Sequence, residues 1–510
     1  MSQHLTSLPI LLPMLAGVIL LMPPCGKNKA IRRFSSVALS FITFFISLAL
    51  LLKVQADGTQ VYAIGDWSAP FGIVLVADPL STLLVCLSSL LGAVCTLYAS
   101  AGDDEKGSFF HPLVQFLILG VNGAFLTGDA FNLFVFFEVL LIASYALLMH
   151  GGDKKNTRAA LQYVIMNLVG SAVFLVALGI LYGVLGTLNM ADMAQKVTYL
   201  QGDDVYLAKI GGLLLLVVFA LKGALLPLHL WLPNTYATAM PVVAALFAIM
   251  TKVGVYSMMR VYTLIFGEEA GELTHMAQSW LWWLALATIT MGAIGVLASQ
   301  DLRKLVSNLV IVSIGTLVAL IAVQTVEASS AAIYYLVHST LVTAALYILA
   351  DLIGRQRGKV ADRITAGTPV SQPMLLGSCF VIAAVAVIGM PPLSGFIAKV
   401  WLLQATLNIE YNVVFWPLYL LASLAVLFAV AKAGSTVFWH HQAKISEQRV
   451  AERAKQERVH PAQLAALIIL VASAPLMSIF AGPLSEYAIG AATQLHDFSN
   501  NINIILPGGE

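Results

Sequence analysis

The sequence predicts an all-α, polytopic membrane protein of about fourteen transmembrane helices, and three observations predict it. Its 510 residues are 59% hydrophobic and only 10% charged, where a soluble globular chain carries about 25% charged residues. Apolar runs of about twenty residues, the length that crosses a hydrocarbon core as a helix, recur from one end to the other. The loops between them alternate between basic and nearly free of basic residues, the pattern that sorts loops to the two sides of a membrane.

The runs lie near 5–23, 34–53, 72–99, 109–127, 131–149, 159–187, 206–230, 237–264, 277–298, 304–325, 329–353, 373–407, 413–438 and 461–488. Short polar turns such as Thr127-Gly128-Asp129 separate many of them. The first leads into Pro23-Pro24 rather than a small-residue cleavage site, so no cleavable signal peptide is expected. If the first loop, with Lys27, Lys29, Arg32 and Arg33, is cytoplasmic, alternate loops should be basic too. They carry Lys106; Lys154, Lys155 and Arg158; Arg303 and Lys304; Arg355, Arg357, Lys359 and Arg363; and Lys444, Arg449, Arg453, Lys455 and Arg458. Of that set, only the loop between runs seven and eight lacks a basic residue. These loops hold 19 of the 27 basic residues, against Lys53, Lys196 and Lys209 in the opposite set. An even number of crossings with both termini outside follows. The insert from Lys444 to Pro461 has charges of both signs at helical spacing, which suits a short cytoplasmic surface helix or a solvated linker.

Several functions are excluded. The net charge of +1 disfavours nucleic acid as a partner. Neither a Walker A motif nor a dinucleotide fingerprint is present, so the chain does not by itself hydrolyse a nucleotide or oxidise a soluble substrate. It reads as a non-enzyme with no cofactor. Cys25, Cys86, Cys95 and Cys379 lack metal-ligand spacing and read as packing residues.

Five basic residues fall inside apolar runs: Lys222, Lys252, Arg260, Lys399 and Lys432, and Glu138 is the acid singled out with them. A charge at the centre of a membrane helix costs about 2.5–3.5 kcal/mol on insertion scales, so each needs a reason. Arg260 and Lys432 are near span ends and are expected to reach the interface. Glu138, in the fifth run, has no charged residue within helical reach; it must meet a cation on a neighbouring helix or carry a proton. Lys222 precedes Pro227, which cannot donate to the carbonyl of Gly223 and breaks the seventh helix. Broken helices line ion paths in transporters. His229, seven residues beyond Lys222, is expected on the same helical face. Lys252 is mid-span in the eighth run and His338 near the middle of the eleventh. Lys399 follows a second break at Pro391-Pro392 in the twelfth. Two broken helices five runs apart, each with a buried lysine, suggest an internal inverted repeat. One acid, three lysines and a histidine can each gain or lose a proton, so protons, exchanged or not for another cation, suit the pattern better than an organic solute.

Four stretches then become recognisable: Phe134-Val135-Phe136-Phe137-Glu138, Leu226-Pro227-Leu228-His229-Leu230-Trp231-Leu232-Pro233, Thr251-Lys252-Val253-Gly254-Val255-Tyr256 and Gly389-Met390-Pro391-Pro392-Leu393-Ser394-Gly395-Phe396. They resemble the antiporter-like subunits shared by respiratory complex I, membrane-bound hydrogenases and Mrp-type multisubunit cation/proton antiporters. The resemblance covers nearly the whole chain and is strongest to the D-type subunits of Mrp antiporters, on length, Lys399 in helix 12 and the run from His338 to Tyr347. It implies fourteen helices: helices 1–3 in 1–108, a first repeat of helices 4–8 in 109–265, an inverted second repeat of helices 9–13 in 276–438, a cytoplasmic loop at 439–460, and helix 14 with its tail in 461–510. By match to the family motifs, Glu138, Lys222, Lys252, His338 and Lys399 form a central proton axis. The resemblance implies Na+/H+ antiport in a bacterial cytoplasmic (inner) membrane, delivered only together with A, B, C, E, F and G type subunits. A proton-pumping subunit of complex I or a hydrogenase is the alternative, and a stand-alone transporter of an organic solute is a third.

Overall fold

The backbone of a segment in lipid must satisfy its own hydrogen bonds, which leaves the helix as the form for these runs. The computed structural model describes residues 4–152, 154–408, 412–439 and 458–506. In chain order the helices are α1 (Leu8–Leu21), α2 (Lys29–Asp57), α3 (Pro79–Ala99), α4 (Phe110–Leu126), α5 (Ala130–Met149), α6 (Lys154–Leu185), α7 (Met190–Val197) and α8 (Asp203–Gly223). They continue as α9 (Trp231–Thr238), α10 (Pro241–Phe247), α11 (Met250–Leu264), α12 (Gln278–Ala298), α13 (Leu302–Val323) and α14 (Val326–Gln356). Then come α15 (Pro373–Ile388), α16 (Ser394–Ala405), α17 (Asn412–Phe438) and three C-terminal helices, Pro461–Ile479, Ala481–His496 and Phe498–Ile505. A small antiparallel hairpin, β1 (Gln60–Ala63) with β2 (Val74–Ala77), is an addition to the all-α expectation.

Among the described residues, 11 helical segments are long and apolar enough to cross a membrane. The first, fourth and twelfth expected spans are the shorter apolar helices α1, α4 and α15. Length and composition therefore give eleven candidate crossings among the described residues, and the expected tally of fourteen rests on those three shorter helices. The run at 461–488 is divided at Phe480 into two helices rather than one. The segment 440–457, which includes most of the expected surface helix or linker, lies outside the described residues.

Side-chain caps set several boundaries. Asn28 accepts from the amides of Ala30 and Ile31 at the start of α2. Asp78 and Ser81 form a reciprocal capping box at the start of α3, and Asp129 accepts from Asn132 at the start of α5. The centre of the bundle is α10–α11, α13 and α14, whose apolar windows are 100%, 94% and 89% buried; α2, α6 and α17 lie at the periphery.

Among the described residues, several basic loops meet at one end. Arg33 binds Asp104 and Glu105, Arg355 of α14 binds Asp103, and Arg303 at the head of α13 binds Asp362. Val459 donates to Gln372 there as well. At the opposite end, β2, α7 and Phe498–Ile505 share a small cluster of Val74, Val76, Ala191, Ile502 and Ile505. The helix Ala481–His496 packs on α3, α11 and α14. It is tied down by the Tyr487 hydroxyl donating to the Pro79 carbonyl (2.7 Å) and by a His496–Ser329 hydrogen bond (2.9 Å).

Candidate proton path

Proline chemistry makes both breaks. Pro227 has no amide for the Gly223 carbonyl, and α8 stops at Gly223 with Ala224 at φ 57°. Nearby groups take up what the break frees: Leu225 donates to Ala220 (2.8 Å), Leu226 to the Thr288 hydroxyl (3.0 Å), and the Trp231 indole to the Leu221 carbonyl (3.1 Å). Lys222, in the last turn of α8, is 5% exposed. Its ammonium donates to Oδ1 of Asn167 on α6 (3.2 Å) and stands 5.7 Å from the Phe137 ring centroid. The Asn167 amide nitrogen is itself committed to the Tyr163 carbonyl (2.9 Å), which leaves its oxygen turned to the lysine.

Glu138 on α5 accepts from the Ser171 hydroxyl. Asn167 and Ser171 are one turn apart on α6, so one face of that helix serves both ionisable groups. Of the two expectations, a cation on a neighbouring helix or a bound proton, the first is not met by direct contact: Glu138 has a hydroxyl partner, and among the described residues no salt bridge joins it to Lys222. His229 departs further from expectation. It lies in a short turn, Leu228–Leu230, beyond the end of α8, so the seven-residue rule for a shared face does not apply to it. It is buried, with no hydrogen-bond partner at Nδ1.

Lys252 is fully buried in the first turn of α11, donating to the Ser313 hydroxyl on α13 (3.3 Å). Its helix touches the end of α8 through two glycines. A Cβ on Gly254 would fall 2.6 Å from the Gly223 nitrogen and 3.0 Å from the Lys222 carbonyl carbon, so only glycine permits that approach. His338, on α14, is buried with Nδ1 2.8 Å from the hydroxyl of Ser394, the first residue of α16. Lys399, on α16, donates to the Ile388 carbonyl (2.7 Å) and the Ser423 hydroxyl (2.8 Å). Its ammonium lies 5.6 Å from the Tyr419 ring centroid. A cavity of about 30 Å³ is lined by Ser313, Tyr335, His338, Lys399, Tyr419 and Ser423 together with aliphatic side chains such as Val312 and Val387, room enough for water beside the polar groups. It brings together His338, Lys399 and the hydroxyl that holds Lys252. Pro391 and Pro392 are exposed at the surface of this chain, as is Pro227.

Sequence pattern alone misplaces one charge and misses another. Arg260 does not reach the interface. It is 7% exposed and pairs with Asp78, which is fully buried at the head of α3. Tyr256, one turn away, accepts from Arg260 at 3.3 Å and donates to the Phe125 carbonyl at 2.7 Å. Asp78 stands inside the third apolar run, and that was the available signal. Lys432 is exposed near the basic end of α17, in line with expectation. No group of His, Cys, Asp and Glu suited to a metal ion occurs among the described residues.

Chemically, the arrangement is a set of protonatable groups held by neutral partners: a carboxamide, hydroxyls and a backbone carbonyl. The family model described as NADH:quinone oxidoreductase/Mrp antiporter, transmembrane, matches residues 127–431. The chain belongs to this family. The region matched to the NADH:quinone oxidoreductase/Mrp antiporter family takes in Glu138, Lys222, Lys252, His338 and Lys399, and leaves α1–α4 before it. Similar family members include the D-type subunit of a probable K(+)/H(+) antiporter of Rhizobium meliloti (strain 1021), 37% identical over 97% of this chain and 96% of that protein. The D-type subunit of an Na(+)/H(+) antiporter of Alkalihalophilus pseudofirmus is 37% identical over 99% of each. Among solved structures, a chain of the Mrp complex from Dietzia sp. DQ12-45-1b superposes with a TM-score of 0.87, 26% identity and 99% coverage of both chains.

Proposed function

We propose that this chain is the D-type, proton-translocating subunit of a multisubunit antiporter that exchanges protons for a monovalent cation, sodium being the first candidate. The observation that carries the reading is the row of buried ionisable groups within the family region. Glu138 and Lys222 share one face of α6, while His338, Lys399 and the hydroxyl partner of Lys252 share a small polar cavity. Glu138 and Lys222 form the first half of the path, Lys252 and His338 relay, and Lys399 is the terminal site. Neutral partners suit relay work, because a lysine held by a permanent carboxylate would be locked in its charged form. Relatives covering nearly the full chain carry antiporter names, and this favours antiport over a redox-driven pump. The convergence of the described basic loops at one end supports that end as cytoplasmic and both termini as outside; the membrane in this reading is a bacterial inner membrane. Partners are the remaining subunits of an Mrp-type complex, and the chain acts as a transporter subunit rather than an enzyme.

The test is cation-dependent proton movement in everted vesicles carrying the chain together with its partner subunits. Glu138→Ala, Lys222→Ala and Lys399→Ala should abolish exchange while the complex still assembles. An assembled Lys222→Ala complex with wild-type exchange would sink the reading, and full exchange from the chain alone would assign it to a stand-alone transporter. Sodium and potassium arms of the same assay identify the cation.

A further inference from the structure

At the basic end, outside the region matched by the family model, the α1–α2 turn and the loop before α4 enclose a cleft of about 490 Å³. Its walls divide by chemistry. Leu20, Leu21, Pro23, Phe109 and Pro112 form an apolar side, and Lys27, Lys29 and Arg32 form a cationic rim, with the carboxylates of Asp104 and Glu105 also in the lining. Lys29 is taken up by Glu105 at 2.8 Å, and the neighbouring Arg33 by Asp104 and Glu105. Lys27 and Arg32 have no ion pair among the described residues and remain available.

The apolar side continues onto an exposed apolar surface. Leu21, Met22 and Phe109 are 46%, 56% and 66% exposed, and Leu15, Val18 and Ile19 extend the same character along α1. Phe109 is held at φ 64°, a left-handed conformation that a bulky residue rarely adopts. Strain of this kind persists where the surroundings over-determine it, and it clusters at functional positions. Here it turns a phenyl ring outward at the mouth of the cleft, immediately before the first turn of α4. The Lys29–Glu105–Arg33–Asp104 ion-pair network lies on the other side. The cleft therefore lies at the ends of the apolar helices α1 and α4, with exposed apolar side chains on one side and unpaired cations on the other. A soluble anion would use only half of it.

We propose that this cleft binds an anionic phospholipid, with Lys27 and Arg32 on the headgroup phosphate and Leu21 and Phe109 against the first acyl carbons. Basic pockets beside membrane helices hold anionic headgroups on charge, and the apolar wall adds the preference for a lipid over free phosphate.

The test is photo-crosslinking of the purified full-length chain in detergent, with diazirine-bearing phosphatidylglycerol or phosphatidylcholine as probe. Phosphatidylglycerol should label peptides spanning 20–32 and 105–112, and Lys27→Gln/Arg32→Gln should reduce that labelling about tenfold. Phe109→Gly, which relieves the backbone and removes the ring, should also weaken labelling while leaving thermal stability at or above wild type. Lys432→Gln should leave it unchanged. Equal labelling of wild type and the double variant, equal labelling by phosphatidylcholine, or displacement by excess inorganic phosphate would each overturn the proposal. Loss of labelling on adding the partner subunits would assign the cleft to a protein interface and overturn it as well. Because antiport is not the readout, failure here leaves the proposed function standing, and the reverse.

Discussion

Lys399 reaches back across the break in its own span and donates to the carbonyl of Ile388, 2.7 Å away. Ile388 is the last residue of α15. In an unbroken helix its carbonyl would accept from residue 392, but Pro392 has no amide to give. The ammonium therefore takes the place of the missing donor at the negative end of a half-helix, where a cation is favoured. A Cβ on Gly389 would come within 2.5 Å of the lysine chain, so the glycine at φ 80° also leaves the lane open.

Lys399→Met should therefore remove both the protonatable group and the donor to Ile388 and abolish exchange. Lys399→Arg keeps the donor but offers no proton at accessible pH, and should lose exchange while keeping assembly and thermal stability near wild type. Proton flux and melting temperature on the same preparations separate the two roles. Exchange by Lys399→Arg at the wild-type rate would remove Lys399 from the proton path.

Asn167 holds Lys222 at 3.2 Å with its own amide fixed on Tyr163. Asn167→Ala should lower exchange substantially, since a hydrogen bond to a charged group contributes about 1.5–3 kcal/mol. Asn167→Asp supplies a permanent partner and should slow exchange by holding the proton on Lys222. Vesicle assays across pH would show the first as a loss of rate and the second as a changed pH profile.

The pair Asp78–Arg260 should matter for stability before transport. Removing either partner strands a buried charge and should cost about 3–5 kcal/mol, whereas Asp78→Leu/Arg260→Met should recover most of the loss. Thermal unfolding of the single and double variants in detergent measures this. Single variants as stable as wild type would mean that water enters the site.

Gly254→Ala should force α11 away from the end of α8, at about 1–3 kcal/mol of overpacking, and displace Lys222 with it. Reduced exchange in a folded, assembled Gly254→Ala complex is the expected outcome, read by flux and by melting temperature together.

At the basic end, Asp104 receives two bonds from Arg33, at 2.6 and 2.9 Å, and lies 3.1 Å from His111. Burial alone would push this carboxyl up, but the His111 and Arg33 hydrogen bonds outweigh it and hold it well below the usual carboxylate range. A carboxylate held low when folded contributes stability above its unfolded value near 4, and loses it as pH falls through the folded value. Asp104→Asn should thus destabilise by about 1.5–3 kcal/mol near pH 5, with the gap closing as pH falls below about 4. A gap that stays open well below about pH 4 would show that Asp104 is not the group whose titration sets it.

Most of the fold was legible because the bilayer leaves a hydrophobic run few alternatives. Run length and loop charge placed the helices, and Pro227 and Pro391-Pro392 announced the breaks. The ionisable residues Glu138, Lys222, Lys252, His338 and Lys399 stood out because burial in lipid makes each expensive. Their partners did not stand out. Asn167, Ser171, Ser313, Ser394 and Ser423 are small polar residues of a kind found throughout membrane helices, and nothing local separates one that holds a lysine from one that bonds its own backbone.

The sequence by itself determined that this chain crosses the membrane many times, which loops share a side, and which charges are out of place. Periodicity, composition and proline chemistry act over a few turns of one helix and can be read from one helix. Only the tertiary structure decided that Arg260 pairs with Asp78 rather than snorkelling, and that His229 leaves the face of Lys222. It also decided that Glu138 meets a hydroxyl and that Lys399 caps the half-helix before it. Each of those depends on how separate helices are rotated and how closely they approach, and on where a broken helix sends the chain next. Burial at low dielectric makes such contacts decisive, because a charge there must take whatever partner the packing brings within reach.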